Sequence, residues 1–322
     1  MVRRVYVDTA WKSKPHTCYD PAEDRFFEVE DLAELAGRYD EVYIDCALFL
    51  NMWPQLKALI NDGARVFYFA WPWKWKRLRE RYADDLKRKF GKWKTDYGDA
   101  YVLSRIHGMP KAFAEVTPLD VEFKPLLMRE RRVVKILNEL YQLQALGVYV
   151  EDEVIKDHKK WLTEIREEIV EKAQERIPRF TEIAEKLGLD NDDVNALSAL
   201  AGLLIYLKWP FNVPSYHKAR RFLGLYKPTK DDKRKYEEKM REKFVRRYNG
   251  YARRYLNSLT AAMFAKKKIF PPRTRDKKEV LRELLGVLRT FNGANEVEGQ
   301  DKSPDEARGR PNYCSTREWF QN

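Results

Sequence analysis

Short apolar runs dominate the first third of the chain, and their spacing predicts β-strands that alternate with helices. Strands are predicted at residues 5–8, 14–19, 25–29, 41–45 and 65–69. Helical segments are predicted at residues 30–38, 53–62 and 74–90. The turn at residues 20–24 joins two strands directly, so we expect the first three strands to form an antiparallel meander. The later strands are separated by helices, which favours parallel pairing.

After residue 124 the apolar residues recur at the longer spacing that is typical of helices. Residues 124–187 predict an antiparallel helical hairpin or coiled coil, with a break near Gly147. Further helices are predicted at residues 194–207, 217–223, 256–265 and 278–289. Gly, Asn, Asp and Pro dominate from residue 292 onward, which is typical of a disordered tail.

The order of strands and helices in residues 1–123 matches an α/β, ribonuclease-H-like fold. In that fold, acids at the ends of the first and fourth strands and on a late helix converge on one site. Asp8 and Asp45 end those strands, and Asp96 and Asp99 begin the late helix, three positions apart on one face. Clustered carboxylates suit Mg²⁺ or Mn²⁺, because hard cations prefer oxygen ligands. The helical pair taken alone also fits a solvated helix start capped by Thr95.

Positive charge is concentrated in one part of the chain. Residues 208–275 hold 21 Lys or Arg against 5 Asp or Glu, although the whole chain carries a net charge of only +12. A cationic segment of this kind indicates a polyanionic partner, most often nucleic acid. The pattern divides the chain into a first domain at residues 1–123, a helical hairpin at 124–187, a basic domain at 188–275, and a helix with a tail at 276–322.

The cysteines lie far apart and match no disulfide or metal-binding pattern, which predicts a reducing, cytoplasmic compartment. Val2-Arg3-Arg4 leads into a short strand, so we expect no secretory signal. No apolar stretch is long enough to span a bilayer, and no membrane partner is expected.

Aromatic and cationic side chains alternate at residues 71–77. This mixture suits stacking on bases together with phosphate contact, although one or two of the tryptophans fit a core position equally well. The candidate nucleic-acid contacts are Trp73, Lys74, Trp75, Lys76, Arg220, Arg221, Arg246, Arg247, Arg253 and Arg254.

Three stretches resemble the Piv/MooV-type DEDD transposases, the insertion-sequence recombinases guided by a bridge RNA. Lys94-Thr-Asp96-Tyr-Gly-Asp99-Ala100 is similar to the family's Lys-Thr-Asp-x-x-Asp-Ala signature. Leu126-Leu-Met-Arg-Glu-Arg-Arg132 resembles the start of its coiled-coil segment. The third stretch resembles the family's C-terminal transposase domain and comprises Phe222-Leu-Gly-Leu225, Pro228, Asn249-Gly250, Arg253-Arg254-Tyr-Leu256 and Ala261-Ala262.

The resemblance implies a RuvC-like domain that binds Mg²⁺ through four acids and a C-terminal domain that supplies a serine nucleophile. It also implies DNA and a guide RNA as partners, and assembly into a dimer or tetramer in a prokaryotic, nucleoid-associated setting. The chain departs from the family at three places. Asp45 stands where the family usually has Glu. The Pro-Gly helix-hairpin-helix signature expected near residues 188–207 is degraded. The family has Ser-Gly shortly after its Gly-Leu-x-Pro-like segment, whereas Pro228-Thr229-Lys230-Asp231-Asp232 holds no serine here. Thr229 is therefore the candidate nucleophile, with Ser215 and Ser258 farther from the motif position.

The leading interpretation is a transposase or site-specific recombinase that acts on DNA phosphodiesters with Mg²⁺ or Mn²⁺. Two alternatives remain open at this point. One is a metal-dependent nuclease of the Holliday-junction-resolvase type, which uses the acids and an activated water. The other is a catalytically impaired, transposase-derived protein that binds nucleic acid without completing strand exchange.

Overall fold

The computed structural model describes residues 2–10, 14–45, 52–70, 74–92, 94–110, 112–211, 213–225, 249–265 and 274–298. Contacts divide the chain into two compact units, Met1–Pro125 and Leu126–Asn322. The predicted boundaries at residues 188 and 276 within the second unit stay predictions.

The first unit is built on a mixed β-sheet. Its strands are β1 Arg4–Asp8, β2 His16–Asp20, β3 Arg25–Val29, β4 Glu41–Ile44, β5 Arg65–Phe69 and β6 Phe113–Glu115. Among the described residues they form one six-stranded sheet in the order β3-β2-β1-β4-β5-β6. β1, β2 and β3 pair antiparallel, whereas β1, β4 and β5 pair parallel. The predicted α/β class and the predicted strand directions are therefore confirmed.

The centre of the sheet follows from the apolar run of β1. Val5, Tyr6 and Val7 are all buried, as expected of a strand that is covered on both faces. Helix α1 Met52–Asn61 connects β4 to β5 and packs against β5. The parallel register of β1 and β4 places the carboxyl ends of both strands at the same edge of the sheet.

Helices α2 Trp75–Arg81, α3 Ala83–Phe90 and α4 Asp96–Arg105 follow β5. The sequence predicted one helical region over residues 74–90, but the structure divides it at Tyr82, whose backbone leaves the helical range. α4 packs on β1 and β2. Its Leu103 and the following Ile106 are fully buried.

The second unit is helical wherever the structure describes it. Its helices are α5 Pro118–Ala145, whose first turns belong to the first unit, α6 Asp152–Arg176, α7 Phe180–Lys186, α8 Val194–Leu207, α9 Tyr216–Phe222, α10 Gly250–Ala265 and α11 Thr274–Glu298. Arg129 on α5 contacts Glu168 on α6 at 3.4 Å, and Tyr141 lies 5.6 Å from the ammonium of Lys159. Because residues later in α5 contact residues earlier in α6, the two helices are antiparallel, as predicted.

The centre of the second unit lies between α8 and α10. α8 is apolar around most of its circumference, and its Gly202 lets the ring of Tyr255 approach closely. The Tyr255 hydroxyl donates to Oε2 of Glu130 at 2.7 Å, while Arg166 Nε donates to Oε1 at 3.0 Å. A buried polar network therefore joins α5, α6 and α10.

One strand was missed by the sequence analysis: β6 has three residues at the sheet edge, which carry too little periodicity to be recognised. α11 extends to Glu298, beyond the predicted helix end at residue 289. The predicted disorder of the tail stays a prediction, and residues 299–322 lie outside the described residues. Of the helices that the structure describes, none combines the length and apolarity needed to cross a membrane.

Candidate acidic site

Asp8 and Asp45 lie side by side because they stand at the carboxyl ends of neighbouring parallel strands. β1 ends at Asp8, and the amide of Asp45 continues the ladder by donating to the carbonyl of Val7 at 3.2 Å. Thr9 fixes the Asp45 side chain, since its amide and its hydroxyl both donate to Oδ1, at 2.9 and 2.6 Å. Two carboxylates are thus held at one edge of the sheet.

Asp96 and Asp99 reach the same edge from the first turn of α4. Thr95 is the N-cap of this helix, as predicted, and accepts a hydrogen bond from the amide of Gly98 at 2.9 Å. Acids in a first turn are favoured by the helix dipole. The two side chains have different surroundings, since Asp96 is exposed and Asp99 is buried. Packing of α4 on β1 brings both carboxylates toward Asp8.

The charges of the other three predicted acids act on Asp8. Burial, and then the negative charges of Asp45, Asp99 and Asp96, raise the pKa of Asp8 to about 9. Arg79 is the cation that opposes this rise. Crowded carboxylates without a bound cation have this property, because each charge makes ionisation of the others costlier. Asp45, Asp96 and Asp99 therefore lie near enough to Asp8 for their charges to act on it.

Arg79 is a member of this site that the sequence analysis missed. Its Nε donates to Oδ1 of Asp99 at 2.6 Å, and its Nη2 contacts Oδ2, so the guanidinium binds the carboxylate through both oxygens. Burial raises the pKa of Asp99, although the hydrogen bonds and charge of Arg79, and a hydrogen bond from Trp75, lower it. The available signal was the four-residue spacing of Trp75 and Arg79 on a predicted helix, which places them on one face.

A polar pocket of about 390 Å³ opens beside Asp8. Its walls are formed by Asp8, Thr9, Ala10, Lys14, Pro15, Thr17 and Asp96. The pocket therefore offers two carboxylates and one ammonium group to a ligand, a combination suited to a cation together with an anion such as phosphate.

The residues fit a hard divalent cation in their chemistry. Carboxylate oxygens are the ligands that Mg²⁺ and Mn²⁺ prefer, and the charges of Asp45, Asp99 and Asp96 add to the effect of burial in raising the pKa of the half-buried Asp8. Within the part of the chain that the structure describes, no three His, Cys, Asp or Glu side chains are already arranged as a metal-binding group. Protein donors hold Asp45 and Asp99, whereas Asp8 and Asp96 face the pocket.

The predicted nucleic-acid contacts fall into two groups. Lys74 and Lys76 are exposed, but Trp75 is partly buried, with its ring 5.1 Å from that of Phe69 and with Arg79 over it at 5.7 Å. In the second unit Arg253 donates to the carbonyls of Leu223 and Gly224 and so ends α9. Arg220, Arg221 and Arg254 are partly exposed. Trp73, Thr229, Arg246 and Arg247 lie outside the described residues.

Comparison with protein-family models and with curated protein sequences found no match to this chain. The resemblance to the DEDD transposases stays a prediction from the quoted motifs. The features of the chain that indicate a function are the strand topology, the four acids and the distribution of charge.

Proposed function

We propose that this chain is a DNA recombinase of the DEDD transposase type, whose first unit has the ribonuclease-H-like (RuvC-like) fold and acts on phosphodiesters with Mg²⁺ or Mn²⁺. The observation that carries the proposal is the convergence of Asp45, Asp96 and Asp99 on Asp8. The sheet order, with an antiparallel meander followed by parallel strands, supports the fold assignment because it leaves the ends of β1 and β4 adjacent.

Each side chain has a role that its surroundings suggest. Asp8 and Asp96 line the pocket and would hold the cation, while Thr9 orients Asp45 toward the same edge. Lys14 lies in the pocket wall, where its charge attracts the phosphate of a nucleic acid. A bound Mg²⁺ stabilises the negative charge that develops on phosphodiester oxygens and activates an oxygen nucleophile.

The basic segment supports a polyanionic partner. Residues 208–275 carry a net charge of +16, with 21 basic and 5 acidic side chains. Neutralising phosphates releases counterions, so the affinity for DNA should fall steeply with salt, by at least about tenfold between 50 and 200 mM. An affinity that does not change over this range would refute the assignment of the segment. A guide RNA and a homo-oligomer enter the proposal through the resemblance alone.

Cleavage assays on plasmid and four-way-junction DNA with Mn²⁺ test the proposal. We expect wild-type protein to cut, and D8A and D96A to reduce the rate by at least about 100-fold, since each removes oxygen ligands from the site. D84A is the matched control, because Asp84 is an exposed acid of the same unit that lies on α3. Cleavage that persists in D8A would contradict the proposal.

A nuclease of the Holliday-junction-resolvase type is the second candidate. It is favoured by the absence of a serine from residues 228–232, where the resemblance expects Ser-Gly, because hydrolysis by an activated water needs no protein nucleophile. Denaturing gels separate the two functions. A protein–DNA adduct that disappears in T229A identifies a recombinase, whereas cutting without an adduct identifies a nuclease. DNA binding without either product leaves only a nucleic-acid-binding role.

A further inference from the structure

Arg79 binds the carboxylate of Asp99, which a divalent cation at this site would need as a ligand. Both oxygens of Asp99 contact the guanidinium, and the two side chains are only 12% and 11% exposed. Water is therefore largely excluded from the pair, which makes the interaction stronger than a surface ion pair. A cation that binds Asp99 through its side-chain oxygens must first displace Arg79 from at least one of them.

The surrounding charges favour such an exchange. Arg79 is the cation that offsets the field of the acids at Asp8, but it carries one charge where a metal ion carries two. Its guanidinium also lies over the ring of Trp75, one helical turn earlier, with 5.7 Å between Cζ and the ring centroid. This cation–π contact would still stabilise the guanidinium after it leaves Asp99.

We propose that Arg79 is a built-in counter-ion of the acidic site, which holds Asp99 in the metal-free protein and competes with the divalent cation for it. Arg79 is then a positioning residue that acts through Asp99 and sets the metal affinity. The inference depends on the proposed function, since it assumes that the acids bind a divalent cation.

Titration calorimetry of the full chain with MnCl₂ tests this competition. Because the bidentate pair must be broken before Asp99 can bind, R79Q should bind Mn²⁺ at least about tenfold more tightly than wild type, the factor associated with one charge-assisted hydrogen bond. R81Q is the matched control. Arg81 is exposed on the same helix, so the same loss of charge there should change the affinity less than about twofold.

A thermal melt in EDTA supplies an independent readout. R79Q should melt below wild type without metal, because Asp99 is left buried and unpaired, and Mn²⁺ should raise its melting temperature more than that of wild type. In a D99N background, R79Q should no longer change the Mn²⁺ affinity, since the partner is absent. R79K retains the positive charge but cannot bind both oxygens of Asp99 as the guanidinium does, so its affinity for Mn²⁺ should lie between those of wild type and R79Q. R79K replaces R79Q in the titration if R79Q does not fold.

The outcomes separate this inference from the proposed function. Equal or weaker Mn²⁺ binding by R79Q and R79K, while wild type binds, overturns the competition and leaves the metal site intact. A change in Mn²⁺ affinity of the same size in R81Q also overturns it, because the loss of any positive charge on α2 would then explain the effect. Absence of Mn²⁺ binding in wild type and all variants overturns both the competition and the metal-dependent function.

Discussion

Thr9 donates two hydrogen bonds to one oxygen of Asp45, from its amide at 2.9 Å and from its hydroxyl at 2.6 Å. Thr9, which follows Asp8, thus fixes the side chain of Asp45 at the end of the neighbouring strand. Parallel pairing of β1 and β4 makes this possible, because it sets Thr9 and Asp45 at the same edge of the sheet. The contact couples the geometry of the two strand ends.

Removing the Thr9 hydroxyl should loosen the acidic site. T9V retains the shape and the amide bond but loses a hydrogen bond to a charged group, which contributes about 1.5–3 kcal/mol. We expect T9V to lower the free energy of unfolding by about 1–2 kcal/mol in EDTA and to weaken Mn²⁺ binding several-fold. Urea unfolding and calorimetry measure the two effects. T9S, which retains the hydroxyl, is the control, and a loss in T9S equal to that in T9V would mean that the methyl group matters instead.

Gly202 and Gly286 should respond oppositely to alanine. A Cβ at Gly202 would lie 2.7 Å from two ring carbons of Tyr255, so G202A must move a buried aromatic ring. We expect a loss of about 1–3 kcal/mol in urea unfolding. Gly286 is exposed in α11, and a Cβ there meets no atom within 4 Å. G286A should therefore stabilise the chain by up to about 1 kcal/mol, because alanine is the better helix former. Losses of equal size in both variants would show that the Tyr255 contact is not the cause.

His16 should make the first unit sensitive to mild acid. Its Nδ1 accepts from the amide of Ala10 at 3.0 Å, so the ring is neutral and Nε2 donates to Oε1 of Gln55 at 3.2 Å. Burial lowers the pKa of His16, although the Gln55 hydrogen bond and the charges of Asp31, Glu30 and Glu34 oppose this. The unfolded chain takes up the proton first as pH falls below about 6.5. Stability is therefore complete above that pH and decreases below it, until the folded pKa is reached.

Urea unfolding at pH 8 and pH 5.5 measures this dependence for wild type and H16Q. Carboxylates also titrate in this range, so the informative quantity is the difference between the two proteins. Wild type should lose more stability than H16Q on acidification, because glutamine has no proton to gain. An equal loss of stability in both proteins would show that His16 is not the cause of the acid sensitivity.

The sequence predicted the strands and the acids because both depend on local signals. β1 is a continuous apolar run that ends in Asp8, and Thr95 caps the helix that carries Asp96 and Asp99, so their positions follow from neighbours in the chain. Arg79 could not be predicted in the same way. Its contact with Asp99 spans 20 residues and depends on the angle between α2 and α4, which no periodicity encodes.

Trp75 shows a second limit of the sequence. Its alternation with cations suggested a base-stacking surface, and it fitted a core position equally well. The structure places its ring against Phe69 and Arg79. The choice depends on how α2 packs on the end of β5, and the amino-acid pattern of residues 71–77 is the same for both orientations.

Asp8→Asn should separate the metal-binding role of Asp8 from any structural role. The amide has nearly the same shape as the carboxyl group and removes one acid from a crowded set, in which Asp45, Asp99 and Asp96 all oppose the ionisation of Asp8. In EDTA we therefore expect D8N to unfold at the same urea concentration as wild type, or slightly higher. With MnCl₂ at about 100 times the wild-type dissociation constant, wild type should gain about 2.7 kcal/mol from ligand linkage. D8N should gain little of this, since its amide has one weak oxygen ligand.

A control variant distinguishes this expected result from two other outcomes. D84N is the control, because it changes an exposed acid of α3 and should gain as much from Mn²⁺ as wild type. A D8N protein that is destabilised in EDTA and still gains fully from Mn²⁺ would mean that Asp8 supports the fold and lies outside the metal site. If Mn²⁺ stabilises wild type, D8N and D84N equally, the cation binds elsewhere, and the convergence of acids on Asp8 loses its proposed function.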